Sequence, residues 1–285
     1  MSAATTGTRP EDVFAGGLAV ITGAGGGIGE GLARHAGGLG MKVVIADVDA
    51  SNADRVARSL MEEGTQAWAV PTDVRDPDQV EALAEAAFAH GPVTLLVNNA
   101  GVEQLGLLWD TPLENWRRIL DINVSGVFHG IRAFVPRMIA SGGAAAIWNV
   151  ASVAAVKTIS GQAPYIASKH AVLGMTEALK VDLERVGAPI RVSAVLPAAV
   201  RTGIFDATGM VDTGDVASAE QERETMRRLL ATGLTPAEAA AETFAQAAAG
   251  AFYLLPQPET GAGIMRERGE QLIARTAPVE RRTAV

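Results

Sequence analysis

Two residues that could move a proton, Tyr165 and Lys169, stand four positions apart at the start of a segment whose apolar spacing predicts a helix. Side chains at that spacing project from one helix face, so both can address one ligand. A phenol with a pKa of about 10 is a weak base at neutral pH, but an ammonium about 4 Å away favours the phenolate by up to about 4 kcal/mol at an effective dielectric of about 20, before burial opposes it. The pair is therefore suited to general acid/base chemistry.

Two further polar residues precede this pair. Ser152 follows a predicted strand, 13 residues before Tyr165, and Asn123 lies in a predicted helix before that strand. Each residue alone has an ordinary structural explanation: a tyrosine packing beside a solvated lysine, a serine turning a strand end, an asparagine capping a local turn. Their joint occurrence in this order favours a functional set.

A glycine-rich segment, TGAGGGIG over residues 22–29, follows an apolar run directly and opens the first predicted helix. Without side chains the backbone can approach a phosphate, and a helix N-terminus adds N–H donors and partial positive charge. A tight structural turn could have the same composition. In this segment the sequence predicts cofactor contacts from Gly23, Gly26, Gly27, Ile28 and Gly29.

Asp47 ends the second predicted strand, 18 residues after Gly29. Dinucleotide-binding folds place an acidic residue on the adenosine ribose at a spacing of about 20. Such a carboxylate accepts both ribose hydroxyls and repels a 2'-phosphate, and no arginine or lysine lies in the glycine turn or immediately after Asp47. The pattern favours NAD(H) over NADP(H), the alternative for Asp47 being a strand-end or helix-capping carboxylate.

Apolar runs that predict buried strands alternate with helix-like segments. This alternation predicts a single-domain α/β Rossmann fold, with a doubly wound parallel sheet of about seven strands, helices on both faces and a ligand crevice at the carboxyl ends of the strands. The predicted strands cover residues 18–22, 42–47, 66–70, 93–98, 145–150, 190–196 and 251–256. The predicted helices cover 28–39, 53–63, 77–89, 114–139, 165–186, 236–249 and about 263–275.

No repeat, low-complexity linker or composition shift divides the chain, which predicts one dinucleotide-binding and catalytic domain over residues 1–285. Three parts depart from the regular pattern: a loose N-terminus (1–15), a segment rich in small and charged residues (202–233) and a C-terminal tail (258–285). We interpret 202–233 as a mobile substrate lid, with a plain surface excursion as the alternative.

Taken together, the motifs resemble those of the classical short-chain dehydrogenase/reductase family. The resemblance covers about residues 15–202. The matching motifs are Thr22-Gly23-x-x-x-Gly27-x-Gly29, Asp73-Val74, Asn98-Asn99-Ala100-Gly101, Asn123, Ser152 and Tyr165-x-x-x-Lys169.

The resemblance implies a catalytic role for four residues. Tyr165 donates or accepts the substrate proton, and Ser152 hydrogen-bonds the reacting oxygen. Lys169 holds the nicotinamide ribose, and Asn123 anchors a proton-relay water. The resemblance also implies NAD contacts from Asp73 and Val74 beside the adenine, Asn99 and Gly101 beside the riboses, and Val200 and Thr202 at the carboxamide end.

Two features depart from the family pattern. Ala198 follows Pro197 where the family usually has glycine, which predicts less backbone freedom and a reshaped nicotinamide pocket. The C-terminus lacks the family's common Gly-Asp-Gly ending. With residues 134–139, this tail is similar to a subgroup that includes the Cα-dehydrogenases of lignin-type aryl ether alcohols, which implies a bulky or aromatic secondary alcohol as substrate.

Composition argues against several other classes. A net charge of −8 repels polyanions, so no nucleic-acid or anionic-membrane partner is expected. The absence of cysteine excludes disulfides and thiolate catalysis, and four scattered histidines predict no metal site. Residues 1–17 lack the apolar stretch of a signal peptide, and the longest weakly charged stretch, 243–258, is shorter than a membrane span. A cytoplasmic protein is predicted, and the family implies a homodimer or homotetramer.

The sequence thus predicts an NAD-dependent alcohol dehydrogenase or ketone reductase that acts on a secondary alcohol/ketone pair. Two alternatives remain: a non-catalytic regulator that senses NAD, and a non-redox lyase or epimerase on the same scaffold. The intact Tyr165–Lys169 pair argues against the regulator. The glycine turn argues against the second alternative, because a dehalogenase-like relative would be expected to lose it.

Overall fold

Seven parallel strands form one sheet in the computed structural model, which describes residues 8–206, 208–211 and 214–278. The strand order is β3-β2-β1-β4-β5-β6-β7, so the chain reverses direction across the sheet between β3 and β4. The strands are β1 Leu18–Thr22, β2 Lys42–Asp47, β3 Ala67–Pro71, β4 Leu95–Asn98, β5 Ala145–Val150, β6 Ile190–Val195 and β7 Tyr253–Leu254. The predicted doubly wound α/β sheet of the Rossmann type is confirmed.

Helices cover both faces of this sheet. They are α1 Pro10–Phe14, α2 Gly27–Gly38, α3 Ala50–Glu62, α4 Pro77–Phe88, α5 Leu113–Leu120, α6 Gly126–Ser141, α7 Ala163–Arg185, α8 Val216–Ala231, α9 Pro236–Ala248 and α10 Pro258–Ala274. One buried cluster joins the sheet to α2, α3 and α9, and a second joins it to α4, α6 and α7. No helix of the described residues is both long and apolar enough to cross a membrane.

The first cluster is centred on aromatic rings. Trp148 packs edge-to-face on Phe244 at 4.7 Å and on Phe14 at 5.7 Å between ring centroids. Such contacts contribute about 0.5–1.5 kcal/mol each beyond the burial of area. They attach the short α1, which the sequence did not predict, and α9 to the middle of the sheet.

Local capping explains where several helices begin. Asp49 accepts hydrogen bonds from the N–H groups of Ser51 and Asn52 at the start of α3. Thr235 and Glu238 form a reciprocal capping box at the start of α9, with Pro236 at the first helical position. These contacts satisfy N–H groups that have no partner within the helix.

The structure corrects three predicted elements. The helix predicted over 114–139 is α5 and α6 joined by a π-helical turn, Asp121–Ser125. Segment 202–233 contains α8, which has little apolar periodicity and is stabilised by the Asp215 cap and by ion pairs such as Arg228–Glu224. The predicted strand 251–256 is reduced to the two residues of β7, and α10 begins at Pro258. Of the predicted N-terminal and C-terminal segments, residues 1–7 and 279–285 lie outside the described residues.

Candidate functional site

The predicted site residues collect at the carboxyl ends of the parallel strands. The glycine turn follows β1, Asp47 ends β2, the 98–101 motif follows β4 and Ser152 follows β5. Because parallel strands end at the same edge of a sheet, segments distant in sequence meet there.

Asn123 lies in the π-helical turn and is 1% exposed. Its side-chain Oδ1 accepts a hydrogen bond from Val102 N at 2.8 Å, and its Nδ2 donates to Val102 O and to Ser168 Oγ, both at 3.0 Å. The asparagine therefore fastens the loop after β4 to helix α7. π-Turns within helices are frequent at functional sites, and here the turn brings the amide group between those two elements.

Ser152, Tyr165 and Lys169 meet at the start of α7. The Lys169 Nζ is 5.5 Å from the centroid of the Tyr165 ring and donates a hydrogen bond to Val150 O at 2.9 Å. Ser152 has an extended backbone, its Oγ accepts a hydrogen bond from Ala154 N at 3.1 Å, and its hydroxyl is near enough to Tyr165 to lower the pKa of that phenol. A phenol, a hydroxyl and an ammonium thus share one small region, as the predicted acid/base set requires.

The pKa shifts of Tyr165 and Lys169 differ from those that the sequence predicted. Burial raises the pKa of Tyr165 well above its ordinary value, Glu103 adds to that rise, and the hydrogen bond with Ser152 opposes it. Burial also lowers the pKa of Lys169 to about 8, against an opposing effect of Glu103. The expectation that the ammonium draws Tyr165 towards the phenolate is not borne out, because burial outweighs that effect and disfavours both charged forms.

Glu103 is the ionisable residue that sequence reasoning left unassigned. It follows the Asn98-Asn99-Ala100-Gly101 motif by two positions and is 2% exposed. Burial raises its pKa to about 8, and the backbone N–H of Gln104 and the charge of Lys169 oppose that rise. Its position just after the motif indicated that Glu103 could lie near the site. Its burial could not be predicted in the same way, because it depends on residues far away in the chain.

The glycine turn has the shape that a pyrophosphate needs. Gly23 and Gly27 have positive φ angles of 63° and 54°, and a Cβ on Gly29 would lie 2.3 Å from the carbonyl oxygen of Gly23. Gly26 has no neighbouring atom within 4 Å of the position a Cβ would take. The N-terminus of α2 carries no side-chain cap, and Ile28 packs inward against the core. The turn fits a dinucleotide phosphate.

Asp47 binds this turn directly. Its Oδ2 accepts a hydrogen bond from Gly25 N at 2.8 Å, and its Oδ1 accepts one from Asp49 N at 3.0 Å. Arg55, from α3, donates to the carbonyl of the same Gly25 at 2.8 Å and pairs with Glu30. No arginine immediately follows Asp47 in the sequence, whereas the fold brings Arg55 to the turn together with its carboxylate partner.

The remaining predicted cofactor residues surround the same crevice. Asn99 donates from Nδ2 to the carbonyls of Thr22 and Gly23, so its side chain holds the turn. Asp73 pairs with Arg75, and Val74 is buried against Gly126. Gly101 faces Lys169, and Val200 forms a bridge with Leu234. Thr202 approaches the glycine turn, with its Cγ2 3.2 Å from the Cβ position of Gly27.

The loop after β6 accommodates alanine without strain. Among the described residues only Arg275 combines a side chain with a positive φ, so Ala198 does not need glycine's freedom. The Gln257 side chain accepts from Ala198 N at 3.1 Å and donates to Ala199 O at 2.6 Å. The C-terminal helix thereby fixes the loop that leads to Val200 and Thr202.

The described part of segment 202–233 packs over the loop after β4. Gly209 N donates to Glu103 O at 3.0 Å, and Leu105 N donates to Gly209 O at 2.9 Å. Asn115 Nδ2 donates to Met210 O at 3.0 Å, and Phe205 is buried. The segment therefore covers one side of the crevice, and its mobility stays a prediction.

Comparison with known proteins places this geometry in a family. The model of the short chain dehydrogenase family matches residues 17–212. A short chain dehydrogenase/reductase from Burkholderia phymatum, solved in complex with NAD, is 38% identical with a TM-score of 0.90, covering 95% of this chain and 99% of that one. The apo form of LigD from Sphingobium sp. strain SYK-6 is 28% identical with a TM-score of 0.76, covering 93% and 100%.

Curated relatives match a shorter region. The 1-deoxy-11-beta-hydroxypentalenate dehydrogenase of Streptomyces exfoliatus is 41% identical over 189 residues, which are 65% of this chain and 67% of that protein. The match to the probable oxidoreductase EphD of Mycobacterium tuberculosis, 35% identical, spans 34% of that longer protein. With the family model covering residues 17–212, the chain belongs to the short-chain dehydrogenase family, whose members include oxidoreductases.

Proposed function

We propose that this protein is an NAD(H)-dependent oxidoreductase that interconverts a secondary alcohol and its ketone, with Tyr165 as general acid and base. The observation that carries the proposal is the meeting of Ser152, Tyr165 and Lys169 beside a turn shaped for a dinucleotide phosphate. The hydride in this reaction comes from, or goes to, bound NAD(H).

The side chains divide the proton chemistry between them. In ketone reduction Tyr165, which is a neutral phenol in this environment, donates its proton to the oxygen that becomes the hydroxyl. Ser152 hydrogen-bonds that oxygen and keeps it within reach. In alcohol oxidation Tyr165 must accept the proton, which an ammonium on Lys169 favours. Asn123 holds Val102 and Ser168, and so fixes the loop and the helix between which the substrate binds.

NAD is the cofactor that the contacts favour. Asp47 presents a carboxylate at the end of β2, where it accepts ribose hydroxyls and repels a 2'-phosphate. Arg55 could attract that phosphate, but Glu30 neutralises it with a 2.8 Å ion pair. The solved relative from Burkholderia phymatum, which carries NAD, supports the same choice.

The substrate we propose is a bulky or aromatic secondary alcohol. The basis is the similarity of the tail to the aryl ether alcohol subgroup, together with three exposed apolar side chains, Leu108, Trp109 and Leu113, that follow the loop carrying Glu103. The name of the Streptomyces relative describes a dehydrogenase of a hydroxylated compound, which agrees with alcohol oxidation. We further propose one catalytic domain, a cytoplasmic location and a homodimer or homotetramer.

A screen of the purified protein tests the proposal. NAD⁺ or NADP⁺ is combined with a panel of aliphatic, aryl and steroidal alcohols, and the absorbance of the reduced nicotinamide is followed. We expect turnover with NAD⁺ and an aryl secondary alcohol. Tight NAD binding without turnover on any alcohol would favour a nucleotide-sensing regulator. Conversion of a substrate without change in the nicotinamide would favour the lyase or epimerase.

A further inference from the structure

Glu103 belongs to the loop that carries part of the catalytic set. The loop reaches it through Gly101, whose Cβ position is 3.4 Å from both Lys169 Nζ and Asn123 Oδ1. The next residue, Val102, is bound through both its N–H and its carbonyl by the Asn123 side chain. Glu103 therefore leaves this anchored backbone at a fixed place beside the start of α7.

The other side of Glu103 is closed by the covering segment. Its backbone carbonyl accepts a hydrogen bond from Gly209 N at 3.0 Å, and its side-chain Oε1 accepts one from Gln104 N at 2.9 Å. The residues that follow Glu103 and those around Gly209 pair as a short bridge. Held on both sides, the carboxyl group lies in a low-dielectric region where charges act strongly.

Lys169 is a buried amine beside this loop. It is 4% exposed, and its described hydrogen bond is to a neutral carbonyl, that of Val150. Within the described residues no carboxylate forms a direct ion pair with it, and Glu103 is the acid whose charge acts on both Lys169 and Tyr165. Two other charged side chains lie on neighbouring elements. Arg118 on α5 lies beside Gly209 and the Gln104 side chain, and Glu222 on α8 faces Gln162.

We propose that Glu103 is a positioning residue for hydride transfer: its buried carboxyl group, once ionised, stabilises the ammonium on Lys169 and acts directly on the charge state of Tyr165. This inference rests on the proposed function. A carboxylate at 103 favours the ammonium on Lys169 and disfavours the phenolate on Tyr165. Buried groups that interact as Glu103 and Lys169 do titrate as a pair. The number of protons bound at the site therefore depends on Glu103 as well as on Tyr165 and Lys169.

The chain offers a direct test in the nucleotide-free protein because it has only four lysines: Lys42, Lys157, Lys169 and Lys180. Isotope-labelled lysine gives a resolvable NMR signal for each, and Lys169→Met assigns the signal of interest. In Glu103→Gln we expect the titration midpoint of Lys169 to fall by about 1 pH unit, since a favourable charge is removed. The other three lysines serve as internal controls.

A kinetic readout separates positioning from a merely structural role. If the protein oxidises an alcohol, both limbs of the pH profile of kcat/KM are expected to move to lower pH in Glu103→Gln, and Glu103→Asp should largely restore the parent profile. If Glu103→Gln does not fold, Glu103→Asp takes its place. A smaller downward shift of the Lys169 titration midpoint in that variant would then support the inference. An unchanged Lys169 midpoint, or an equal shift of all four lysines, would overturn the inference. The NMR result does not depend on turnover, so failure of the proposed function is seen separately.

Discussion

Arg55 Nη2 lies 2.8 Å from the carbonyl oxygen of Gly25 and 2.8 Å from Glu30 Oε2. Gly25 also donates its N–H to Asp47, so a cation and an anion flank one residue of the glycine turn. Hydrogen bonding by Arg55 lowers the pKa of Glu30, with a further contribution from Arg34 and an opposing one from burial. Glu30 thus remains ionised at neutral pH and occupies the arginine that could otherwise meet a 2'-phosphate.

Releasing Arg55 should therefore relax the cofactor preference. In Glu30→Gln the guanidinium loses its ion pair, and we expect NADP⁺ affinity to rise on the order of 5-fold, with a smaller change for NAD⁺. Titration of tryptophan fluorescence with each nucleotide measures both values. Glu63→Gln is the matched control, because Glu63 pairs with Arg34 and has no described contact with Arg55. Equal changes in the two variants would contradict the role given to Glu30.

Removing the carboxylate of Asp47, the proposed ribose ligand, should have the complementary effect. In Asp47→Ala we expect NAD⁺ binding to weaken by roughly 10- to 100-fold, the loss of one or two hydrogen bonds to a charged group, and NADP⁺ binding to weaken less. The same fluorescence titration applies. Asp49→Ala is the control, since Asp49 caps α3 without being the predicted ribose ligand. A greater loss for NADP⁺ than for NAD⁺ would exclude the cofactor assignment.

The two tyrosines of the chain give the test of the acid/base residue its own control. Tyr165→Phe removes the phenol oxygen, and we expect turnover to fall by at least about 100-fold while NAD affinity changes little. Tyr253→Phe removes a phenol that is bonded to Glu177 and remote from the set, so its activity should stay near that of the parent. Steady-state rates and nucleotide titrations of the two variants provide the comparison. Unchanged activity in Tyr165→Phe would remove this residue from the mechanism.

The sheet could be predicted from the sequence because its signals are local, and the grouping of Ser152, Tyr165 and Lys169 could be predicted from the family resemblance of their motifs. Buried parallel strands are continuous apolar runs, and Tyr165 and Lys169 share a helix face by spacing alone. Helix α8 gave no such signal, because it is held by a cap and by ion pairs between neighbouring turns instead of an apolar stripe.

The burial and the charge balance of the site residues could not be predicted from local sequence patterns, because they depend on contacts between segments far apart in the chain. The environment of Glu103 depends on Gly209, and Arg55 meets Gly25 only after α3 packs beside α2. The direction of the Tyr165 pKa shift likewise turned on burial, which spacing does not report. The types of group at the site could therefore be predicted from the sequence, but the balance between their charges could not.

The bonds of Gln257 predict a link between the C-terminal helix and the crevice. Gln257→Ala removes two hydrogen bonds to the loop at Ala198 and Ala199, so this loop should loosen and the KM for the nucleotide should rise several-fold, for a cost of about 1 kcal/mol per bond. Gln246→Ala is the control: it removes two similar bonds, to Leu255, away from that loop. A KM that rises equally in both variants would indicate general destabilisation instead.

The raised pKa of Glu103 makes a prediction about folding. Its pKa is about 8 in the folded protein against an ordinary value of 4.5, so between these values the folded state keeps a proton that the unfolded chain has lost. The contribution of Glu103 to stability is complete below about pH 4.5 and is lost as pH rises through about 8. Glutamine does not titrate, and Glu103→Gln should therefore gain stability relative to the parent across this window, by up to about 5 kcal/mol at its upper end. Urea unfolding at a series of pH values measures the difference, with the exposed Glu62→Gln as the control expected to stay flat. If the free energy of unfolding of Glu103→Gln relative to the parent also stays constant with pH, the Glu103 carboxyl group ionises in the folded protein as readily as in water.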